Sequence, residues 1–196
     1  MLLLTSGVSA QGSLGNVLGG VLGGGSDNNV VSTLTSVFSK DKQASAEKLV
    51  GTWSYAEPAI VLTSDNLLTK AAANVAANKL EKKLQSYLTQ YGIAPGSLTV
   101  TFNEDGTCTE TLNGKSFSGK WEVADSKLML TIGGVKALSV TTQIDGKDLQ
   151  LVTDATKLLN LFKSLGAKSS NSNIKTITSL MKSVTGMQAG ITLRKQ

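Results

Sequence analysis

The chain offers few side chains able to do chemistry. It contains no His, which removes the commonest general base and metal ligand and every His-dependent triad. Its single Cys, Cys108, forms no internal disulfide and excludes a Cys-rich zinc site. Alternation about Cys108 places it as a small buried apolar residue in a strand. Carboxylates, Lys and Tyr remain for catalysis. Glu104 and Asp105 are the only acids adjacent in sequence, and Asn103-Glu104-Asp105-Gly106 suits a turn better than an active site. The other acids are scattered. No cofactor motif occurs, and the sequence predicts a protein that is not an enzyme.

The acid that stands out is Glu110, because of the strands around it. From Leu98 to Ile132 short alternating runs are separated by Asp105-Gly106, Asn113-Gly114 and Asp125-Ser126, the pattern of a β-meander. A bulged turn at 103–106 pairs Phe102 with Cys108. A two-residue turn at Asn113-Gly114 pairs Leu112 with Lys115, and another at Asp125-Ser126 pairs Ala124 with Lys127. These registers agree on one apolar face holding Leu98, Val100, Phe102, Cys108, Leu112, Phe117, Trp121, Val123, Leu128 and Leu130. A one-residue slip would invert it. Glu110 falls on the same face. A buried carboxylate needs a partner or a raised pKa, and Lys115 is the candidate partner.

Further runs extend the count to eight strands, at 50–62, 97–103, 107–113, 115–124, 127–132, 136–145, 147–153 and 187–195. Eight antiparallel strands with one apolar face close into an up-and-down barrel, which removes exposed edges. The expected class is mainly β with helical insertions. One insertion, 63–96, carries a long helix from Ser64 or Asp65, with an apolar stripe from Leu67 to Tyr91. The other, 153–186, carries two helices that end at Gly186. In an up-and-down barrel both connections lie over one mouth. Ser45–Leu49 reads as a helical turn before strand one. Asn28 or Asn29 caps a short helix through Phe38.

Gly51-Thr52-Trp53 at the start of strand one is similar to the Gly-x-Trp motif of lipocalins and the wider calycin group. Phe102–Thr107, Asn113–Trp121 and Leu128–Leu130 resemble stretches of small exported lipocalin-like domains of Gram-negative gut bacteria. The resemblance spans about residues 46–195. It implies that Trp53 packs at the closed end beside an Arg of the last strand, the position of Arg194. Gly51, Trp53 and Arg194 are therefore expected to be structural.

The start, MLLLTSGVSAQG, looks like the end of a secretory signal peptide cleaved after Ala10. The charged segment that precedes such an apolar run is missing, so either translation starts further upstream, the preferred reading, or the segment is not a signal. Residues 11–29 are a Gly-rich flexible lead and 30–196 one domain. No run reaches the about 18 apolar residues of a spanning helix. The formal net charge is +5. The excess of Lys after Thr153 could attract an acidic ligand or an anionic membrane, although the solvated face of amphipathic helices explains it more simply. Basic residues without interleaved aromatics do not suggest nucleic-acid binding.

The expected protein is exported, periplasmic or extracellular. It either binds a small hydrophobic or amphipathic ligand among Tyr55, Phe102, Glu110, Phe117 and Trp121, or is a non-enzymatic structural or interaction factor of the cell envelope with a filled barrel.

Overall fold

The computed structural model describes residues 35–63, 71–132, 138–164 and 171–196. The chain divides into a unit Met1–Val30 and a unit Val31–Gln196. Everything below concerns the second. The signal-peptide remnant, the Gly-rich lead, the first turn expected for the long helix and the first two residues of the strand expected at 136–145 lie outside the described residues.

The strands are β1 (Thr35–Val37), β2 (Gly51–Leu62), β3 (Leu98–Phe102), β4 (Thr107–Leu112), β5 (Lys115–Ala124), β6 (Lys127–Ile132), β7 (Leu138–Asp145), β8 (Asp148–Thr153) and β9 (Met187–Lys195). They form one nine-stranded sheet in sequence order, and β2 also pairs with β9. Hydrogen bonds thus run in a ring through the eight strands β2 to β9. The three meander registers hold: Phe102 opposes Cys108, Leu112 opposes Lys115 and Ala124 opposes Lys127. The left-handed φ values that these turns require fall on Gly106, Asn113, Gly114, Asp125 and Ser126.

The ring is not a regular barrel. β2 pairs with β3 only over Gly51–Ser54, while its pairing with β9 runs from Trp53 to Leu62 with a register shift between Tyr55 and Glu57. The extra residue, Ala56, bends the strand away from β3. Pro58, with no N–H to donate, lies between the point where β3 leaves and the point where β1 joins. β1 then pairs in parallel with the last part of β2, Thr35 opposite Ile60. This corrects the last part of the short helix expected through Phe38, whose earlier residues lie outside the described ones. The β-branched Thr35 and Val37 suit extended backbone, and the released edge of β2 supplies the ladder.

β1 and the segment that follows it are bonded to β8 and β7. Ser36 Oγ donates to Gln150 Oε1 at 2.8 Å, the Ser39 N–H donates to Gln143 Oε1 at 2.8 Å, and Lys42 pairs with Asp145 at 2.6 Å. Phe38 packs on a separate small apolar cluster of Ala59, Val61 and Val152.

The helices are α1 (Ala46–Leu49), α2 (Ala71–Gln90), α3 (Ala155–Ser164) and α4 (Ser172–Ser183). α2 packs on β2 and α4, and α4 on α3 and β9. Both insertions therefore cover the same end. Asn171 caps α4 by accepting from the Asn173 N–H. Leu80, Leu84 and Tyr87 of α2 and Ile174, Ile177 and Met181 of α4 join Trp53, Tyr55, Phe102, Leu128, Leu149 and Leu193 in one continuous core. Each fully buried Leu or Ile contributes roughly 1.5–3 kcal/mol.

Candidate functional site

Strand alternation sorts the candidate residues into two groups. At the closed end, Trp53 is 1% exposed, and its indole N–H donates to the Leu49 carbonyl of α1 at 2.7 Å. The Trp121 N–H is shared between the carbonyls of Asn103 and Thr107, at 3.0 and 2.9 Å. Phe102 meets Trp121 edge to face, with centroids 5.5 Å apart. Phe102 and Trp121 thus brace the β3–β4 turn and have no free surface for a ligand.

The expected stacking of Arg194 on Trp53 is not what the structure holds. Trp53 lies opposite Lys195, and Ser54 opposite Arg194. Directly opposed residues share a face, so Lys195 shares the face of Trp53, with Nζ 5.2 Å from the ring centroid. Arg194 points outward and makes two bonds to Asp148, Nε to Oδ1 at 2.8 Å and Nη2 to Oδ2 at 3.2 Å. Gly51 has φ +125°, and a Cβ there would lie 3.3 Å from Lys195 Cε.

Tyr55 points inward toward the helices. Its hydroxyl donates to Gln85 Oε1 of α2 at 3.4 Å, and burial, with Glu57 nearby, pushes its pKa up to about 12. It ties the barrel to its cover.

The remaining two candidates come together at the helix-covered end. Glu110 of β4 sits between Val100 of β3 and Phe117 of β5, its direct cross-strand neighbours. It is half-buried, and desolvation raises its pKa above the usual carboxylate value. Lys115 does not pair with it. Lys115 lies two residues before Phe117 on β5, opposite Leu112, where it is exposed to water. Phe117, expected inside, is 44% exposed. At that height β5 has β4 alone as a described partner, because β6 pairs with it only from Gly119 onward. The hairpin tip is held to the end of α2, where Asn113 Nδ2 donates to the Gly92 carbonyl at 3.1 Å.

A concavity of about 440 Å³ lies elsewhere, at the β2 bulge, lined by Ser54, Ala56, Glu57, Pro95 and Arg194 among others. Burial raises the Glu57 carboxyl pKa while Arg194 opposes that shift. The sequence signal was Glu57-Pro58, which interrupts the alternation of strand one. Among the described residues no three Asp, Glu, Cys or His side chains gather as a metal site, and no helix is long and apolar enough to cross a membrane.

A family model described as a lipocalin-like domain (DUF4923) matches residues 25–195. The chain belongs to this lipocalin-like family. A crystal structure of a DUF4847 family protein from Bacteroides vulgatus ATCC 8482 is similar at 13% identity, covering 76% of this chain and 95% of that one, with a TM-score of 0.36. No curated protein matches.

Proposed function

We propose that this lipocalin-like domain is a non-enzymatic binding protein that takes its ligand at the helix-covered end, not in the middle of the barrel. The observation that carries this reading is Glu110 beside Phe117: a half-buried carboxyl without an ion pair among the described residues, next to a half-exposed aromatic ring. Such a pair suits an apolar body bearing one hydrogen-bond-donating or cationic group. Inward side chains of the barrel join one continuous buried core, which fits the alternative of a structural or interaction factor of the cell envelope with a filled barrel. Export to the periplasm or beyond in a Gram-negative bacterium is part of the proposal, supported by the apolar start and the small residues before Gln11.

Incubation with a bacterial lipid extract, followed by re-purification and mass spectrometry of the denatured protein, tests the reading. The expected result is a retained amphipathic compound whose recovery falls at least tenfold in Phe117→Ser and changes in identity or amount in Glu110→Gln. Recovery of no compound, or equal recovery in both variants, overturns it and leaves the filled-barrel reading.

A further inference from the structure

The solvent faces of the three helices over the barrel mouth share one sign of charge. The chain has nineteen Lys and Arg against fourteen Asp and Glu. Seven of those basic residues and one of the acids, Glu81, lie on α2, α3 and α4. The helices therefore hold the whole positive excess, and the rest of the chain is close to neutral. The lysines are placed by helical spacing. On α2 the buried face holds Ala73, Ala77, Leu80, Leu84, Tyr87 and Leu88, which leaves Lys79, Lys82 and Lys83 in water. On α4 the buried Ile174, Ile177 and Met181 leave Lys175 and Lys182 exposed, seven residues apart on one stripe. Lys157 and Lys163 are exposed on α3, and Lys157 faces Asp154 at 3.7 Å. Since α2 packs on α4 and α4 on α3, the helices that carry these stripes lie side by side in one layer.

Exposed apolar groups border the same layer. Val75 lies on the solvent face of α2, Tyr91 follows its last turn, and Phe117 lies on the hairpin bonded to Gly92. They are the exposed large hydrophobic residues among the described ones. The cations are all Lys, which are mobile point charges, not the planar forks that grip a single phosphate. A diffuse lysine layer edged by aromatic residues suits a charged surface bearing many headgroups and an apolar boundary, not a discrete anion.

We infer that the helical cover is a docking face for an anionic phospholipid membrane, with the barrel mouth turned toward the bilayer. The inference does not depend on a ligand at Glu110. Lysines near an anionic bilayer contribute about fivefold each in binding.

Sedimentation of the full chain with vesicles tests it. The protein is expected to bind phosphatidylglycerol–phosphatidylcholine vesicles at low salt, to bind pure phosphatidylcholine at least tenfold more weakly, and to be released as salt rises. The triple change Lys79→Gln, Lys82→Gln and Lys83→Gln should weaken binding roughly a hundredfold, and the separate pair Lys175→Gln and Lys182→Gln roughly twenty-five-fold. A control triple with the same change in net charge, Lys40→Gln, Lys120→Gln and Lys147→Gln on the barrel and its flank, should have little effect. Equal binding to neutral vesicles, equal loss in the control triple, or tighter binding to soluble polyphosphate than to vesicles of matched charge overturns the inference.

Discussion

The two ends of the barrel are built from similar residue types but satisfied to different degrees. At the closed end each Trp has its indole N–H met by backbone: Trp53 by Leu49, and Trp121 by Asn103 and Thr107. At the helix-covered end Glu110 has no ion pair among the described residues, and Phe117 is left half in water. A group with its bonds complete stabilises one conformation and has nothing left to offer a ligand. A group held by the fold without its natural partner costs stability and retains capacity to bind. The closed end is therefore where stability should concentrate, and the covered end where recognition should.

The largest expected contrast follows from emptying the closed end. Trp53→Ala removes the largest fully buried side chain among the described residues together with its bond to α1, and should cost about 3–5 kcal/mol, read as a loss in chemical-denaturation midpoint. Phe117→Ala should change that midpoint far less, because the ring is 44% exposed. A comparable loss in the two variants would erase the distinction between the ends.

The next effect tests the seam that joins them. A Cβ on Gly190 of β9 would lie 1.9 Å from the backbone oxygen of Leu151 on β8. The opposing atom is main chain, so the strands themselves must part. Gly190→Ala should cost about 1–3 kcal/mol, as overpacking does, and should speed amide exchange in β8 and β9 at both ends. Unchanged exchange there would show that the seam yields without cost.

How far the sequence revealed these ends depended on the range of the signal. Turn chemistry and alternation are local, so Asp105-Gly106, Asn113-Gly114 and Asp125-Ser126 were enough to orient every residue from Leu98 to Leu130, Glu110 included. The parallel strand Thr35–Val37 was not legible, because its partner lies more than twenty residues away and the edge that receives it exists only once Ala56 bends β2 from β3. The Arg194 expectation failed by one residue of strand parity. A terminal strand ending Leu193-Arg194-Lys195 offers two cations on opposite faces, and only the pairing of Trp53 with Lys195 selects between them. The exposure of Phe117 was hidden for a related reason. Alternation specifies a face, whereas the length over which β6 accompanies β5 decides whether that face is covered.

A smaller effect separates those two cations. Lys195→Ala removes the charge above Trp53 and should cost on the order of 0.5–1 kcal/mol. Arg194→Ala removes an exposed pair with Asp148, and its thermal midpoint should move less than that of Lys195→Ala. The reverse order would return Arg194 to the role that the lipocalin resemblance gave it.

The smallest expected change in stability is at the covered end, and its pH dependence identifies it. Burial raises the folded-state pKa of Glu110 above its ordinary value of 4.5. The folded state therefore holds that proton more tightly than the unfolded chain does. Its favourable contribution is present at acid pH and is lost as pH rises from about the unfolded value through the folded one. Glu110→Gln removes the ionisation and keeps the shape. The variant should match the parent in acid and become the more stable of the two above that window, as measured by denaturation midpoints across pH. The same substitution should weaken retention of a cationic amphiphile. A variant less stable than the parent at neutral pH would mean that the carboxylate already has a partner within the fold, and the covered end would then be as fully satisfied as the closed one.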